Sequence, residues 1–531
     1  MPLLPEYQNK MIKKEILKNK MITENSEFMN KDHNYWKIIL TTSIILLILR
    51  IIWAIYGNIP LYSEEAQYWL WSKHPALSYY SKPPLIAYAI YLSTHLLGDS
   101  VLGIRIIAIL IGFIIPLITY RFALELFKDS KIALYSGLIL FTLPHYHYIS
   151  MILSTDSLIT LFWMLTMLYS WRALQQNQLK DWWWTGIFLG LGVMSKYTML
   201  LWIPSFLLVG LLLNFNLIKN KKFYFSLGLA AIICTPIIIW NFTKGLVGFK
   251  HIFGLMGAYK PSPAIESSLG NIVKYILGQL GSLIPFYLPA IFILIKKNVN
   301  KQIPADYVPV SFLLFPLLFV LTFFVFIAFR KTEINWTYFA YGAYPILLSY
   351  AFVKFVGEKK LKLALKATAL IIFMMFLPST LEGRSALKFY PPKIDPFHKM
   401  AGWDDLGKTV SEIKKNMEGE KLFIFSDRYQ IASELAFYLD DHPQTYCINT
   451  GRRMNQFDLW PHIDQFAEKG YNAIYVSSKP IPAGLEECFQ KVELVARQKC
   501  IYRQTEVDTP FIIYRLTGFK TYNASDNPVR F

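Results

Sequence analysis

The sequence predicts an α-helical polytopic membrane protein that carries a soluble α/β domain at its C-terminal end. Of its 531 residues, 54% are hydrophobic and 16% are aromatic, which exceeds the content of an ordinary soluble domain. Apolar runs long enough to cross a bilayer recur up to about residue 380, and the composition changes after them. These observations place most of the chain in a membrane.

Eleven apolar runs are candidate transmembrane helices, because a span needs roughly 20 apolar residues and fewer where protein shields it. They cover residues 38–56, 101–121, 132–150, 157–173, 183–195, 198–214, 223–240, 272–295, 309–329, 336–353 and 364–380. An odd number of spans predicts that the two ends of the chain lie on opposite sides of the membrane.

The net charge is +18, and the distribution of the basic residues along the chain indicates the reason for this excess. Five connecting segments that share one face under the eleven-helix assignment hold sixteen Lys and Arg residues, and residues 1–37 hold seven more. This distribution follows the positive-inside rule and predicts that residues 1–37 form a basic cytoplasmic tail. The sequence shows no nucleic-acid-binding motif, so the excess indicates contact with anionic membrane lipid and not with nucleic acid.

The chain divides into a transmembrane domain over residues 38–381 and a soluble domain over 382–531. In the second part, strand-length segments such as "KLFIFS", "NAIYVSS" and "FIIYRL" alternate with helix-like segments such as "WDDLGKTVSEIKKN" and "IASELAFYL". This pattern predicts an α/β domain, which the odd helix count places outside the cytoplasm. There Cys488 and Cys500 could form a disulfide, and free thiols are the alternative.

Three acids lie in the predicted outer loops. Glu64 and Glu65 follow the first span in "LYSEEAQYWLWSKHPALSYYSKPPL", whose aromatic residues and prolines predict helices lying in the membrane interface. A carboxylate held between such helices can take a proton from an acceptor hydroxyl, although loop acids are often only solvated. Asp156, in "LSTDSLI", falls at the same predicted depth, and its alternative role is to cap the following helix.

Several basic residues lie on the same outer face, against the positive-inside bias. Lys196 sits in a very short turn between two apolar runs, where a lysine must snorkel, pair with an acid or bind an anion. Lys82, Arg330 and Lys331 join it on that face. The group predicts a site for an anionic ligand, for which a lipid phosphate is the natural candidate.

Four further residues are candidates for lining such a site. His251 lies in the long outer loop, where it could pair with a carboxylate, ligate a metal or face solvent. Asn335 and Trp336 begin a span, and an interfacial tryptophan often only anchors a helix in the membrane. Tyr80, two residues before Lys82, completes the set.

Several motifs follow one another in a fixed order along the chain: the acidic pair, "SKPPL", "STD", "SKYT" and, in the last domain, "GWDDLG", "YQIASELAFYL" and "GRRMNQFDLW". Together they resemble the membrane glycosyltransferases of the GT-C fold, of the family 39 and 83 type. The chain is similar to bacterial relatives of protein O-mannosyltransferases and of the aminoarabinose transferase that modifies lipid A. The resemblance implies inverting transfer of a monosaccharide from a polyprenyl-phosphate carrier, in a bacterial inner membrane with the C-terminal domain in the periplasm.

The resemblance also implies roles for the charged residues. It places the base or acceptor-orienting carboxylate at Glu64, where the family usually has aspartate, and Glu65 could share the role. Lys82 would neutralise the departing phosphate, Asp156 could orient Lys82, and Lys196 again suits phosphate.

Cofactor and acceptor are less closely defined by the resemblance. Some relatives have a carboxylate before the lysine, which can hold a divalent metal ion with a histidine, but this chain has Ser81 there. No cofactor is therefore implied with certainty, and a metal ion at His251 is an open alternative. Lipid A or another envelope glycolipid is the favoured acceptor because Lys82 is shared with the aminoarabinose enzyme, and another glycan or a protein is the alternative.

Two readings from other classes compete with an enzyme. A polytopic transporter would also combine many spans with charged residues, and a noncatalytic scaffold would tolerate glutamate in place of aspartate. Transporters often show internal repeats and charges at mid-membrane, whereas here the charges gather at one face and no repeat is evident.

Overall fold

The computed structural model describes residues 31–256, 265–330, 332–380, 391–392, 395–502 and 505–522. Within these ranges the chain forms a helical bundle followed by a sheet domain. Most of the predicted tail, the predicted domain boundary at 381/382 and Lys331 lie outside the described residues, so the boundary stays a prediction. The described part of the tail, from Lys31 onward, is continuous with the first helix.

Seventeen helices form the bundle in the described part of the chain. They are α1 Lys31–Tyr56, α2 Ser63–Lys73, α3 Leu85–Leu97, α4 Val101–Phe127, α5 Ser130–Leu140, α6 Pro144–Met151, α7 Thr155–Gln176, α8 Leu179–Ser195, α9 Trp202–Leu212, α10 Lys221–Ile233, α11 Thr235–Thr243, α12 Val247–Leu255, α13 Ile265–Ser282, α14 Leu288–Val299, α15 Tyr307–Ala328, α16 Tyr344–Ala351 and α17 Glu358–Thr380. Shorter 3₁₀ segments, Tyr197–Leu201 and Ile334–Ala343, lead into α9 and α16.

The apolar helices make this a membrane protein. By length and composition, four described helical segments can cross a membrane, namely α1, α4, α15 and Ile334–Val356, or six if the bent pairs α6–α7 and α10–α11 each count as one. The predicted count of about eleven stays a prediction, because several predicted runs are interrupted. The run 272–295, for example, is divided between α13 and α14 after Ile284, which has a left-handed φ of 59°.

One buried cation lies in the first apolar helix. Arg50 of α1 is 3% exposed, and its Nη1 donates to the hydroxyl of Tyr146, 3.2 Å away. The Tyr146 hydroxyl in turn donates to the carbonyl oxygen of Gly112 at 2.7 Å. A Cβ at Gly112 would lie 2.2 Å from the Cβ of Ser150, so glycine allows α4 and α6 to approach closely enough for this network.

The basic connecting segments meet at one end of the bundle. Lys131 Nζ lies 2.7 Å from Glu358 Oε1, and Arg172 Nη2 lies 2.5 Å from Glu125 Oε1. Glu125 is near the C-terminal end of α4, whereas Arg105 is near its start, about 30 Å away at 1.5 Å per residue. That distance matches the hydrocarbon core of a bilayer, so these basic segments and Arg105 lie at opposite ends of the bundle.

The C-terminal part is a five-stranded mixed sheet with helices packed on it. Its strand order is β2–β1–β3–β7–β4, with β1 parallel to both neighbours and β7 antiparallel to both of its own. The elements are α18 Trp403–Lys415, β1 Leu422–Ser426, α19 Tyr429–Tyr438, β2 Thr445–Cys447, β3 Asn472–Ser477, α20 Ala483–Glu486, β4 Phe489–Gln498, the β5 Ile501–Tyr502 and β6 Thr505–Glu506 hairpin, and β7 Phe511–Phe519. The predicted C-terminal α/β fold is confirmed.

Strand residues alternate between two apolar cores, as a period of two requires. Phe423 and Phe425 of β1 pack in a cluster with Tyr475, whereas Ile424 packs on the other face with Ile474. Helices α18 and α19 cover that second face through residues such as Leu406, Val410, Ile431 and Leu435.

The sheet domain rests on the loop that follows α1. The backbone N–H of Leu61 donates to the Tyr438 hydroxyl at 2.7 Å, and Trp69 of α2 packs edge-on against Phe437, with ring centroids 5.1 Å apart. Helix α2, predicted as an interfacial segment, therefore lies between the sheet domain and the other helices of the bundle. Helix α3, also predicted as interfacial, packs on α2 and α4.

All four cysteines are free thiols. Cys488 and Cys500 flank the ten-residue strand β4, whose extended length separates them by roughly 30 Å. A disulfide requires Cα atoms within about 7 Å, so the structure does not pair these two residues.

Candidate active site

A cavity of about 820 Å³ lies at the end of the bundle that the sheet domain covers. Loops that are far apart in sequence contribute to it, together with residues of the sheet domain. Its lining includes Tyr62, Glu64, Gln67, Tyr68, Ser81, Lys82, Tyr148, Asp156, Lys196, His251, Arg330, Glu333, Asn335, Trp336, Lys399, Tyr429 and Arg453. The predicted outer loops thus converge on one site.

Glu64 is one of three carboxylates that line this cavity in the described part of the chain, with Asp156 and Glu333. It lies in the first turn of α2, is half-buried, and accepts a weak hydrogen bond from the Ser63 hydroxyl at 3.4 Å. Burial raises the pKa of Glu64, while the positive charges of Lys82 and Lys399 act in the opposite direction. A carboxyl with a raised pKa beside a cavity can exchange a proton with a bound hydroxyl.

Glu65 is turned away from the cavity and is fully buried. Its Oε2 lies 2.8 Å from Nη2 of Arg105, and the same oxygen accepts the N–H of Tyr62 at 3.0 Å. Its Oε1 accepts the N–H of Leu153 at 2.9 Å. Glu65 therefore joins α2, α4 and the loop before α7, whereas its neighbour Glu64 faces the cavity.

Asp156 holds two other residues in place. Its Oδ1 lies 2.6 Å from Nζ of Lys196, and its Oδ2 accepts a hydrogen bond from Nδ2 of Asn335 at 2.8 Å. The N-cap of α7 is Ser154, whose hydroxyl accepts the Asp156 N–H. Asp156 is thus in the first turn of α7, and its carboxylate pairs with Lys196. Among the described residues no ion pair within 4 Å joins it to Lys82, so the predicted orienting role towards Lys82 stays a prediction.

Lys82 has no acidic partner within 4 Å in the part of the chain that the structure describes. Burial, and after it the nearby positive charge of Lys196, lowers the pKa of Lys82 to about 8, while the charges of Asp156 and Glu64 act in the opposite direction. Its amino group faces the same cavity as Glu64. A half-buried cation without an acid of its own is suited to a bound anion.

The other predicted residues fall into three places. His251, Arg330, Asn335 and Trp336 line the cavity. Tyr80 lines the adjoining cleft instead, where its ring packs against His251 with centroids 4.6 Å apart. Lys331 lies outside the described residues.

The residues around His251 do not fit a divalent metal ion. Burial and the positive charges of Arg453 and Lys82 lower the pKa of His251 to about 3, whereas a divalent metal ion is favoured by nearby carboxylates. No three His, Cys, Asp or Glu side chains group closely enough to hold a metal in the described ranges.

Three residues that line the cavity were not found by sequence reasoning. Lys399, Tyr429 and Arg453 belong to the sheet domain and reach the cavity only through its docking on the bundle. The buried partner of Arg105, in contrast, could have been expected from the sequence, because an arginine in an apolar run needs an acid or another polar group beside it.

Known membrane glycosyltransferases match this chain in sequence and in structure. The profile of the family described as Dolichyl-phosphate-mannose-protein mannosyltransferase matches residues 81–240. A lipid A galacturonosyltransferase of Rhizobium johnstonii is 24% identical over 326 residues, which cover 61% of this chain and 67% of that protein. The structure of ArnT from Cupriavidus metallidurans, solved in the apo state and bound to undecaprenyl phosphate, superposes with a TM-score of 0.62 at 12% identity, over 90% of this chain and 97% of ArnT.

The chain has the fold of the GT-C membrane glycosyltransferases. The resemblance predicted from its motifs is confirmed, and so is the prediction of a glycosyltransferase, because the family profile and the curated relative describe that activity. The superposition on ArnT covers nearly the whole GT-C chain, so it includes the sheet domain as well as the bundle.

Proposed function

We propose that this GT-C enzyme transfers a monosaccharide from a polyprenyl-phosphate carrier to a hydroxyl of an envelope glycolipid, with lipid A as the favoured acceptor. The observation that carries the proposal is the arrangement of Glu64 and Lys82. Both line one cavity, and no ion pair joins them within 4 Å among the described residues, which leaves space for a substrate between a proton acceptor and a cation.

The reaction assigns a role to each charged group. The acceptor oxygen bonds to the anomeric carbon from the face opposite the carrier phosphate, and the bond from that carbon to the phosphate oxygen breaks, which inverts the centre. Glu64 takes the proton of the acceptor hydroxyl. Lys82, Lys196 and Arg330 offset the charge that develops on the departing polyprenyl phosphate.

Asp156 acts in this scheme through Lys196. A lysine held 2.6 Å from a carboxylate has a fixed position, and Asn335 fixes the other oxygen of that carboxylate. Lys196 then presents its charge to the phosphate without having to be reoriented during the reaction.

The donor and the acceptor are supported by the relatives. ArnT has been solved with undecaprenyl phosphate, and the Rhizobium relative acts on lipid A, so a polyprenyl-linked donor and a lipid acceptor are the consistent choice. The family profile, in contrast, is described by a protein acceptor, which makes protein O-glycosylation with the same type of donor the second candidate.

The same proposal includes the orientation of the chain. The enzyme lies in the bacterial inner membrane, with residues 1–37 in the cytoplasm and the sheet domain in the periplasm. The basic segments at the end of the bundle away from the sheet domain support this orientation, because basic loops face the cytoplasm.

The deciding experiment compares cells with and without the gene by mass spectrometry of lipid A, polysaccharide and secreted protein. We expect one sugar to disappear from the lipid fraction and to return with the wild-type gene but not with Glu64→Gln. Loss from the protein fraction alone would select the second candidate. No change in any fraction would contradict the transferase proposal.

A further inference from the structure

A second cleft, of about 530 Å³, adjoins the active-site cavity. It opens between the loop containing Tyr80 and the sheet domain, and it shares His251, Tyr429 and Arg453 with the cavity. A molecule lying in this cleft would therefore extend from the sheet domain to the neighbourhood of Glu64.

The charges of this cleft are mainly positive. Arg428 and Lys479 line it together with Arg453, and no carboxylate lies within 4 Å of their side-chain nitrogens in the described ranges. Among the described residues, Arg428 Nη1 donates to the Ser478 hydroxyl alone, at 3.3 Å. Asp427 is the acid in the lining, so the positive charge exceeds the negative.

Arg452, in the same loop, is a cation whose side chain is already paired with an acid. Its two terminal nitrogens lie 2.8 and 2.9 Å from the two carboxylate oxygens of Asp458, and its Nε donates to the carbonyl oxygen of Ile448. Arg453, the next residue, has no such partner among the described residues, and it lines both the cleft and the cavity. Arg452 is therefore held by Asp458, whereas the side chain of Arg453 can contact a ligand in the cleft or in the cavity.

Two buried polar atoms point to a ligand as well. The hydroxyl of Tyr80, which is 2% exposed, and Nδ1 of His251, which is 4% exposed, lack hydrogen-bond partners within the described part of the chain. The backbone N–H of Tyr80 donates to Oε1 of Gln456 at 2.8 Å, which fixes this loop against the sheet domain. Burial raises the pKa of Tyr80 to about 12, so its hydroxyl stays protonated and can donate to an anion.

We infer that this cleft binds a phosphate group of the acceptor and thereby holds the acceptor hydroxyl towards Glu64. The inference rests on the proposed function and deepens it, because it makes the acceptor a phosphorylated glycolipid or glycan. Arg428, Arg453, Lys479 and the Tyr80 hydroxyl supply the charge and the hydrogen bonds that recognise phosphate. The donor phosphate lies separately, at Lys82 and Lys196.

The test measures kcat/KM of the purified full-length enzyme for a phosphorylated acceptor and for the same acceptor after phosphatase treatment. In Arg428→Gln combined with Lys479→Gln, we expect the preference for the phosphorylated form to fall about tenfold, mainly through KM. Tyr80→Phe lowers the same preference by a smaller factor. Lys408→Gln is the matched control, because Lys408 is exposed on α18 and its ion pair, with Asp405 at 3.5 Å, is exposed as well.

The possible results distinguish a failure of the phosphate site from a failure of the proposed transferase activity. If the wild type transfers sugar but the double variant keeps its preference, or raises the KM of the donor instead, the phosphate site is overturned while the transferase stands. If the wild type transfers sugar to neither acceptor, the proposed function itself fails. Because Arg428 and Lys479 are exposed, their variants should fold, and an unchanged Tm confirms this.

Discussion

Glu65 and Arg105 form a buried ion pair, in which Nη2 of Arg105 lies 2.8 Å from Oε2 of Glu65 and both side chains are at most 1% exposed. Arg105 also donates to the carbonyl oxygens of Ile59 and Pro60. The pair therefore fixes the chain on both sides of Tyr62, and with it the start of α2, on which Glu64 stands. Glu65 thus supports the position of its neighbour Glu64.

Replacing Glu65 should destabilise the protein. In Glu65→Gln, the Arg105 charge stays buried without an acid, which costs about 3–5 kcal/mol in comparable pairs. We expect a lower Tm of the purified protein, followed by tryptophan fluorescence. Glu358→Gln is the control, because its ion pair with Lys131 is 36% and 52% exposed and should contribute less than about 1 kcal/mol. Equal losses in both variants would contradict a special role for the buried pair.

Replacing Glu64 should instead abolish transfer while the fold persists. Glu64→Gln removes the proton acceptor, and general-base catalysis typically contributes about 10²- to 10⁴-fold to the rate. The Tm should not fall, because the substitution also removes a half-buried charge. Glu64→Asp keeps a carboxylate and should retain part of kcat. Full activity of Glu64→Gln would show that another group takes the proton.

The pH dependence of kcat/KM should reflect Lys82. Its amino group is charged below its lowered pKa of about 8 and neutral above it, so attraction to the donor phosphate weakens as the pH rises through 8. On the acid side, activity should fall as Glu64 becomes protonated at its raised pKa. We therefore expect a bell-shaped profile in steady-state assays.

Lys82→Arg tests the assignment of the alkaline side. Arginine stays charged throughout this range, so the decrease above pH 8 should disappear even if the maximal rate is lower. An unchanged alkaline decrease in the variant would assign it to another group.

The sequence allowed Glu64, Lys82, Asp156 and Lys196 to be predicted, because charged residues beside apolar runs are costly and must have a partner or a ligand. It did not distinguish Glu64 from Glu65, since that depends on how α2 is rotated. Consecutive residues of a helix point about 100° apart, so one carboxylate can face a cavity while the next meets a buried arginine.

Other features depend on tertiary contacts that leave no local pattern. Arg453 is a polar loop residue by sequence, and tertiary contacts such as the packing of α19 on α2 bring its domain over the cavity. Helix breaks such as that after Ile284 also escape a hydropathy argument, because the apolar composition continues across them. The α/β fold of the sheet domain was easier to predict from the sequence, since strand-length apolar segments between helix-like ones are typical of such a domain.

Glu434 of α19 provides a last prediction, on stability. It is 1% exposed, and neither carboxyl oxygen has a hydrogen-bond partner among the described residues. Burial raises the pKa of Glu434 well above its usual range, and the charges of Glu65, Glu64 and Asp404 raise it further, against the effect of Arg105. In the folded protein its carboxyl group is therefore kept protonated.

The unfolded chain releases this proton near pH 4.3, the usual value for glutamate. Above that pH the unfolded state binds fewer protons than the folded one, so stability falls as the pH rises towards the raised pKa. Glu434→Gln keeps the size and the neutral state of the side chain but cannot ionise when the protein unfolds. We expect its Tm to exceed that of the wild type at pH 8 and to approach it near pH 4.5, whereas Glu412→Gln, at an exposed position of α18, should change neither value. A difference in Tm that is the same at both pH values would show that Glu434 is not the group that titrates.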